Sequence, residues 1–240
     1  MKMDFSGYSI QEFTFEGREA KLICPVQPVG RLVLKMEYWD AFPDVEAMLV
    51  DHGYHLAYLK NTSRFAPRED CDAKARFVRY LAAEYNLSCR CVPVGMSLGG
   101  AHAIEFAGFY PELTACMYLD APVVNYCCLH SCRIGSPTPV WEREVQAIYP
   151  GLKHYQLANF PGNPVLMIDT LLKNNIPVVM CYGGQDGSVE YRDHGALLEE
   201  AYEGTDLLKI FCVSLRGHHP HGLLADNSPI VDFIEARGNY

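Results

Sequence analysis

The stretch Cys91-Val92-Pro93-Val94-Gly95-Met96-Ser97-Leu98-Gly99-Gly100-Ala101-His102-Ala103-Ile104-Glu105-Phe106 constrains this chain more than any other. A short apolar run enters Gly-x-Ser-x-Gly and a run of helical character leaves it, so the backbone must pass from strand to helix within a few residues. Side chains at positions 95 and 99 would collide where strand and helix crowd together, and glycine stands at both. Such a turn lifts the Ser97 hydroxyl out of the end of a sheet. It also sets the serine at a helix N-terminus, where unpaired N–H groups and the helix dipole favour developing negative charge. This placement suits a nucleophile; the alternative is an ordinary turn that happens to contain Gly and Ser.

The periodicity on either side of that stretch fills in the layers. Residues 8–24 read as a hairpin interrupted at Glu16-Gly17, and 31–36, 54–59, 90–95, 113–120, 177–182 and 207–214 read as further strands. Helical patterns fall near 43–52, 72–86, the run after Ser97 to about 109, 164–174, 190–203 and 229–236. In the second of these, Phe77, Tyr80, Leu81 and Tyr85 recur at helical spacing and are expected to contact the core. Strands alternating with helices imply a mostly parallel sheet covered on both faces. Pro93 is awkward there, because a central strand rarely tolerates a missing N–H donor.

From 123 to about 162 the periodicity fails and turn formers accumulate, as in Ile134-Gly135-Ser136-Pro137-Thr138-Pro139. An insertion of this length in a compact fold is usually a lid or binding segment. No repeat, low-complexity tract or linker interrupts the chain, so residues 1–240 are expected to form one domain. A chain of 240 residues can bury roughly 70–75% of its unfolded surface without disulfides.

Charge narrows the partners. With 20 Lys+Arg against 29 Asp+Glu the net charge is −9, which argues against a nucleic-acid backbone or an anionic membrane. The stretch Met1-Lys2-Met3-Asp4-Phe5-Ser6-Gly7-Tyr8 has no apolar segment of signal-peptide length, and no later run approaches a membrane span. A cytoplasmic protein is expected, with its ten cysteines as reduced thiols in or near the core.

Open α/β sheets place their sites at the carboxyl ends of strands. Ser97 is one such residue. Asp186 follows the strand at 177–182 in Gly183-Gly184-Gln185-Asp186-Gly187-Ser188-Val189, and histidines follow the strand at 207–214 in Arg216-Gly217-His218-His219-Pro220-His221-Gly222. A serine hydroxyl is a poor nucleophile until a neutral imidazole takes its proton, and the imidazole needs a carboxylate to fix its tautomer. Ser97 in Gly-Met-Ser-Leu-Gly-Gly, Asp186 in Gly-Gly-Gln-Asp-Gly-Ser-Val and His218 in Gly-His-His-Pro-His together resemble the α/β-hydrolase superfamily, whose chain order Ser…Asp…His they share. The segment 217–234 is similar to that of bacterial hydrolases of esterase or peptidase-like type.

The resemblance implies the α/β-hydrolase fold, a mainly parallel eight-stranded sheet with helices on both faces and a small lid insertion. It further implies no metal or other cofactor, and transfer of an acyl group from an ester, thioester or amide to water. Alternatives stay open: Asp120 also ends a strand and competes with Asp186 as the acid, and His219 competes with His218 as the base, with His221 fixing the loop. His102 is expected to pack or cap. The oxyanion hole requires the amide of Leu98 and a second from Tyr38 or Trp39. Tyr38, Trp39 and Phe42 are also expected to form an aromatic cluster packing under the lid, which is compatible with a donor there because that donor is backbone.

Cys127-Cys128-Leu129-His130-Ser131-Cys132 lacks the second knuckle of a zinc site, and a thiol-lined pocket or redox-sensitive patch is the weaker expectation. Cys89 and Cys91 are expected on one face of a strand. The leading function is a carboxylic ester hydrolase acting on a small or medium acyl substrate; a peptidase or amidase, or a non-catalytic ligand-binding protein on the same fold, are the rivals.

Overall fold

A computed structural model describes residues 5–240, so half of the N-terminal stretch considered above, residues 1–4, lies outside the described residues. Eight strands form one sheet in the order β1-β2-β4-β3-β5-β6-β7-β8. They are β1 Ile10–Phe15, β2 Arg18–Ile23, β3 Leu32–Lys35, β4 His55–Leu59, β5 Cys91–Met96, β6 Met117–Asp120, β7 Val178–Gly183 and β8 Leu208–Val213. The β1–β2 and β2–β4 pairings are antiparallel and every pairing from β4 to β8 is parallel. The helices are α1 Asp44–Asp51, α2 Arg68–Tyr85, α3 Leu98–Phe109, α4 Gln146–Ile148, α5 Ile168–Lys173, α6 Gly195–Ala201 and α7 Ser228–Arg237. Among the described residues no helix is long and apolar enough to cross a membrane.

The inner strands are apolar at nearly every position, and the two-residue period divides them between two cores. Leu32, Leu34, Met117, Leu119, Val178 and Met180 pack with α2, α3, α5 and α6 on one face. Val33, Val92, Val94, Tyr118, Val179 and Cys181 pack with α1 and α7 on the other. Continuous apolar strands are what a parallel sheet buried on both faces requires. Each large side chain buried there is worth about 1.5–3 kcal/mol.

Pro93 sits in central β5 after all, opposite Leu34 of β3. Alternation turns its missing N–H toward β6, since Cys91 O accepts Ala115 N on that side and Val94 O accepts Met36 N on the other. Between the Cys91–Thr114 bridge and the Val94–Tyr118 pair the two strands are one residue out of step. The proline therefore occupies an irregularity in the ladder, where such a residue is tolerated.

Other expectations need correction. Cys89 is exposed and precedes β5, so it does not share a strand face with buried Cys91. Phe77 and Leu81 of α2 are buried, but Tyr80 is 41% exposed and rests its ring on Phe15 at 5.2 Å. Residues 130–132, 141–145 and 154–159 form short helical turns, so segment 123–162 is less irregular than its composition suggests. It covers a third apolar cluster of Phe65, Leu98, Tyr126, Leu129, Trp141 and Leu157.

Candidate active site

The order of strands reverses beside β3: the chain moves from β3 to β4 on one side, then returns to place β5 on the other. Ligands of doubly wound sheets bind at the carboxyl edge of such a switch point. Ser97 ends β5 there. Its φ and ψ are 55° and −123°, a strained conformation for a residue with a side chain. Hydrogen bonds hold it in place: Ser97 N donates to Asp120 O at 3.0 Å, and Ser97 O accepts Gly100 N and Val123 N at 2.9 Å each. A Cβ on Gly95 would fall 2.2 Å from Gly99 O, and one on Gly100 would fall 2.5 Å from Pro122. The expected strand-to-helix turn is thus enforced by backbone contact.

Ser97 Oγ lies 3.0 Å from His218 Nε2, and His218 Nδ1 lies 2.7 Å from Asp186 Oδ2. Three loops from three strand ends meet in this chain of contacts. The last two are packed backbone to backbone, since a Cβ on Gly183 would sit 2.3 Å from both Arg216 O and Gly217 O. The other oxygen of Asp186 accepts the amides of Ser188 and Val189, both at 2.9 Å. Burial alone would raise the Asp186 pKa, but the hydrogen bond from His218 and these two amides outweigh it and hold the carboxylate below its usual range. It stays ionised against the imidazole.

Asp120 is engaged elsewhere. Its carboxylate, almost wholly buried, takes Arg216 Nη2 at 3.0 Å, His221 Nδ1 at 2.7 Å, Tyr118 OH at 2.9 Å and Gly222 N at 2.6 Å. Burial would raise its pKa too, and the bonds from His221 and Arg216 instead depress it. Asp120 anchors the histidine loop from beneath and does not touch His218. His219 does not reach Ser97 either; its Nδ1 faces His221 Nε2 at 3.1 Å and its ring stacks on Phe42.

Leu98 begins α3, so its amide has no acceptor within the helix. Tyr38 follows β3 with φ of 56°, on the strand adjacent to β5. Tyr38, Trp39 and Phe42 do not form one cluster. Trp39 is buried against Phe5 and Tyr58 in the sheet core. Tyr38 packs on the cluster under segment 123–162, and Phe42 faces the histidines.

A cavity of about 430 Å³ opens beside Ser97 and His218, lined by Leu129, His130, Thr138, Val140 and Val189 among others. The thiols of 127, 128 and 132 are not among the residues that line it. Among the described residues the histidines 218, 219 and 221 are the group whose donor atoms lie together as for a metal ion, and the cysteines form none.

Two supports of segment 123–162 have no obvious sequence signal. Burial pushes the His194 pKa down to about 4, leaving Nδ1 an acceptor for the amides of Val124 and Asn125. Asn163, fully buried, accepts Tyr126 N and donates to Leu157 O. His102, as expected, is a packing residue: it is buried on α3 with Nε2 facing Ser63 O and Ala66 N at 2.9 and 3.2 Å.

No family model and no curated protein matches the sequence. Solved structures do match its shape. The acylaminoacyl peptidase of Pyrococcus horikoshii superposes with a TM-score of 0.72 at 14% identity over 96% of this chain. This chain spans only 42% of that protein's length. The fluorophosphonate-binding serine hydrolase F of Staphylococcus aureus gives 0.71 at 15% identity, over 97% of this chain and 98% of that one. An esterase of Pyrococcus furiosus gives 0.64 at 13% identity, over 97% and 91%. Sheet order, helices on both faces and these superpositions agree: the chain has the α/β-hydrolase fold.

Proposed function

We propose that this protein is a serine hydrolase that cleaves a small or medium acyl ester through an acyl-enzyme. The observation that carries the reading is the contact chain Ser97–His218–Asp186, at 3.0 and 2.7 Å across three loops remote in sequence. Ser97 Oγ attacks the acyl carbon while His218 Nε2 takes its proton; His218 then returns that proton to the departing alcohol. Asp186 holds the imidazole in the tautomer that leaves Nε2 free to accept. The amides of Leu98 and Tyr38 are the donors for the oxyanion, with Trp39 the alternative to Tyr38. Water then repeats the sequence on the acyl-enzyme.

Segment 123–162 is the lid in this reading, and residues 1–240 are one catalytic unit around it. The adjacent cavity of about 430 Å³, with apolar Leu129, Val140 and Val189 in its wall, fits an acyl group of modest size. Turnover of a nitrophenyl ester series alongside aminoacyl anilides tests this. Hydrolysis of short and medium esters with none of the anilides is expected, and anilide cleavage at a comparable kcat/KM would replace the esterase with an amidase or peptidase.

A further inference from the structure

The loop after β8 carries three imidazoles, and the proposed chemistry uses only His218. We propose that His219 Nδ1 and His221 Nε2, with His218 Nε2 as third ligand, bind a divalent transition-metal ion of the Zn²⁺ type, and that its binding silences the hydrolase. The binding itself stands on geometry alone; the silencing rests on the reading of Ser97 and His218 given above.

The spacing is that of ligands. Two nitrogens about 2.0–2.1 Å from a tetrahedral zinc ion lie roughly 3.4 Å apart, and His219 Nδ1 and His221 Nε2 are 3.1 Å apart. One donor atom from each of the three histidines lies within 4.8 Å of the others, close enough for the three to converge on one ion.

The His221 ring is also braced as metal-binding imidazoles usually are. Its Nδ1 meets the Asp120 carboxylate at 2.7 Å, and Asp120 is fixed in turn by Arg216 and the Gly222 amide. A carboxylate behind the ring sets the tautomer and aims the Nε2 lone pair outward. His219 is held by the Phe42 ring, stacked at 5.4 Å and 17°, and its exposed side gives an ion a path from solvent.

Without metal, His221 Nδ1 donates to Asp120, so Nε2 must accept the Nδ1 proton of His219. On binding, that proton moves by way of solvent to His219 Nε2, and the lone pairs of Nδ1 and of His221 Nε2 turn to the ion. His218 gives its Nε2 lone pair, the one facing the Ser97 hydroxyl. Ser97 then keeps its proton and has no base.

Equilibrium dialysis of Zn²⁺ against the full-length Ser97→Ala protein, with and without His219→Ala or His219→Gln, reads the site without catalysis. Both variants, checked for folding by circular dichroism, should bind one equivalent fewer than their parent. In the active protein Zn²⁺ should inhibit ester hydrolysis reversibly with chelator. Either His219 variant should keep its metal-free rate within about twofold yet need at least about 10–100-fold more Zn²⁺, as losing even the group behind a ligand does. An unchanged number of bound ions in both variants overturns the site, the exposed thiols of Cys89 and Cys212 being then the binders. A lost equivalent with inhibition unchanged overturns the silencing. If the protein hydrolyses no ester at all, the hydrolase reading fails while dialysis still decides the site.

Discussion

At the scale of single residues, two strand-end aspartates have the same chemistry and opposite jobs, and their partners tell them apart. Asp186 holds an imidazole and two amides; Asp120 holds an arginine, a second imidazole, a tyrosine and an amide with no solvent exposure to speak of. Asp186→Asn should leave the urea midpoint close to wild type while lowering kcat by about 10⁴, as the wrong tautomer does in serine proteases. Asp120→Ala leaves Arg216 charged, buried and unpaired, and should cost about 3–5 kcal/mol in urea unfolding. The reverse pattern would make Asp120 the acid. Sequence placed both aspartates at strand ends but did not separate them by geometry, because Arg216, which occupies Asp120, reads in the chain as one more loop cation.

At the scale of elements, α3 carries an unusual load. Glu105 on it is 1% exposed, and neither carboxylate oxygen has a hydrogen-bond partner. Burial raises its pKa well above the glutamate range, with Arg68 lowering it only in part. The sign follows: a raised folded pKa means the acid is neutral in the fold, so its contribution is intact below the unfolded value of about 4.3. Stability is then lost as pH rises, by up to about 1.4 kcal/mol per unit, until the folded pKa is reached. Urea unfolding of wild type and Glu105→Leu at pH 5, 6 and 7 should show the variant gaining on wild type as pH rises; a constant difference would mean that Glu105 is ionised in the fold.

The elements themselves were legible in outline. Every strand and helix inferred from apolar periodicity has a counterpart, because two-residue and helical periods are imposed by the two faces of a buried sheet. Segment 123–162 was legible only as an interruption. Its supports are His194 and Asn163, single polar residues with distant partners, and a contact 37 or 70 residues away leaves no periodic trace. Gly95 was read correctly as a close approach. Gly95→Val should disrupt the β5–α3 turn, since even a Cβ there meets the Gly99 carbonyl; loss of ester hydrolysis with a lowered melting temperature is expected, and unchanged activity would deny the turn its role.

For the molecule as a whole, the crossover that places β3 between β4 and β5 is what gives the site its place. It sets the end of β3, which Tyr38 follows, next to β5, which Ser97 follows, and the later strands bring Asp186 and His218 to Ser97 in chain order from β7 and β8. Fold by itself does not grant activity. The central claim is that Ser97 is a nucleophile activated by His218. The direct measurement is reaction of the intact protein with a fluorophosphonate probe, followed by mass spectrometry of the modified peptide. The account predicts a single adduct on Ser97, absent from Ser97→Ala and strongly slowed in His218→Ala. A folded protein that takes up no probe, or takes it up equally in all three forms, would contradict it.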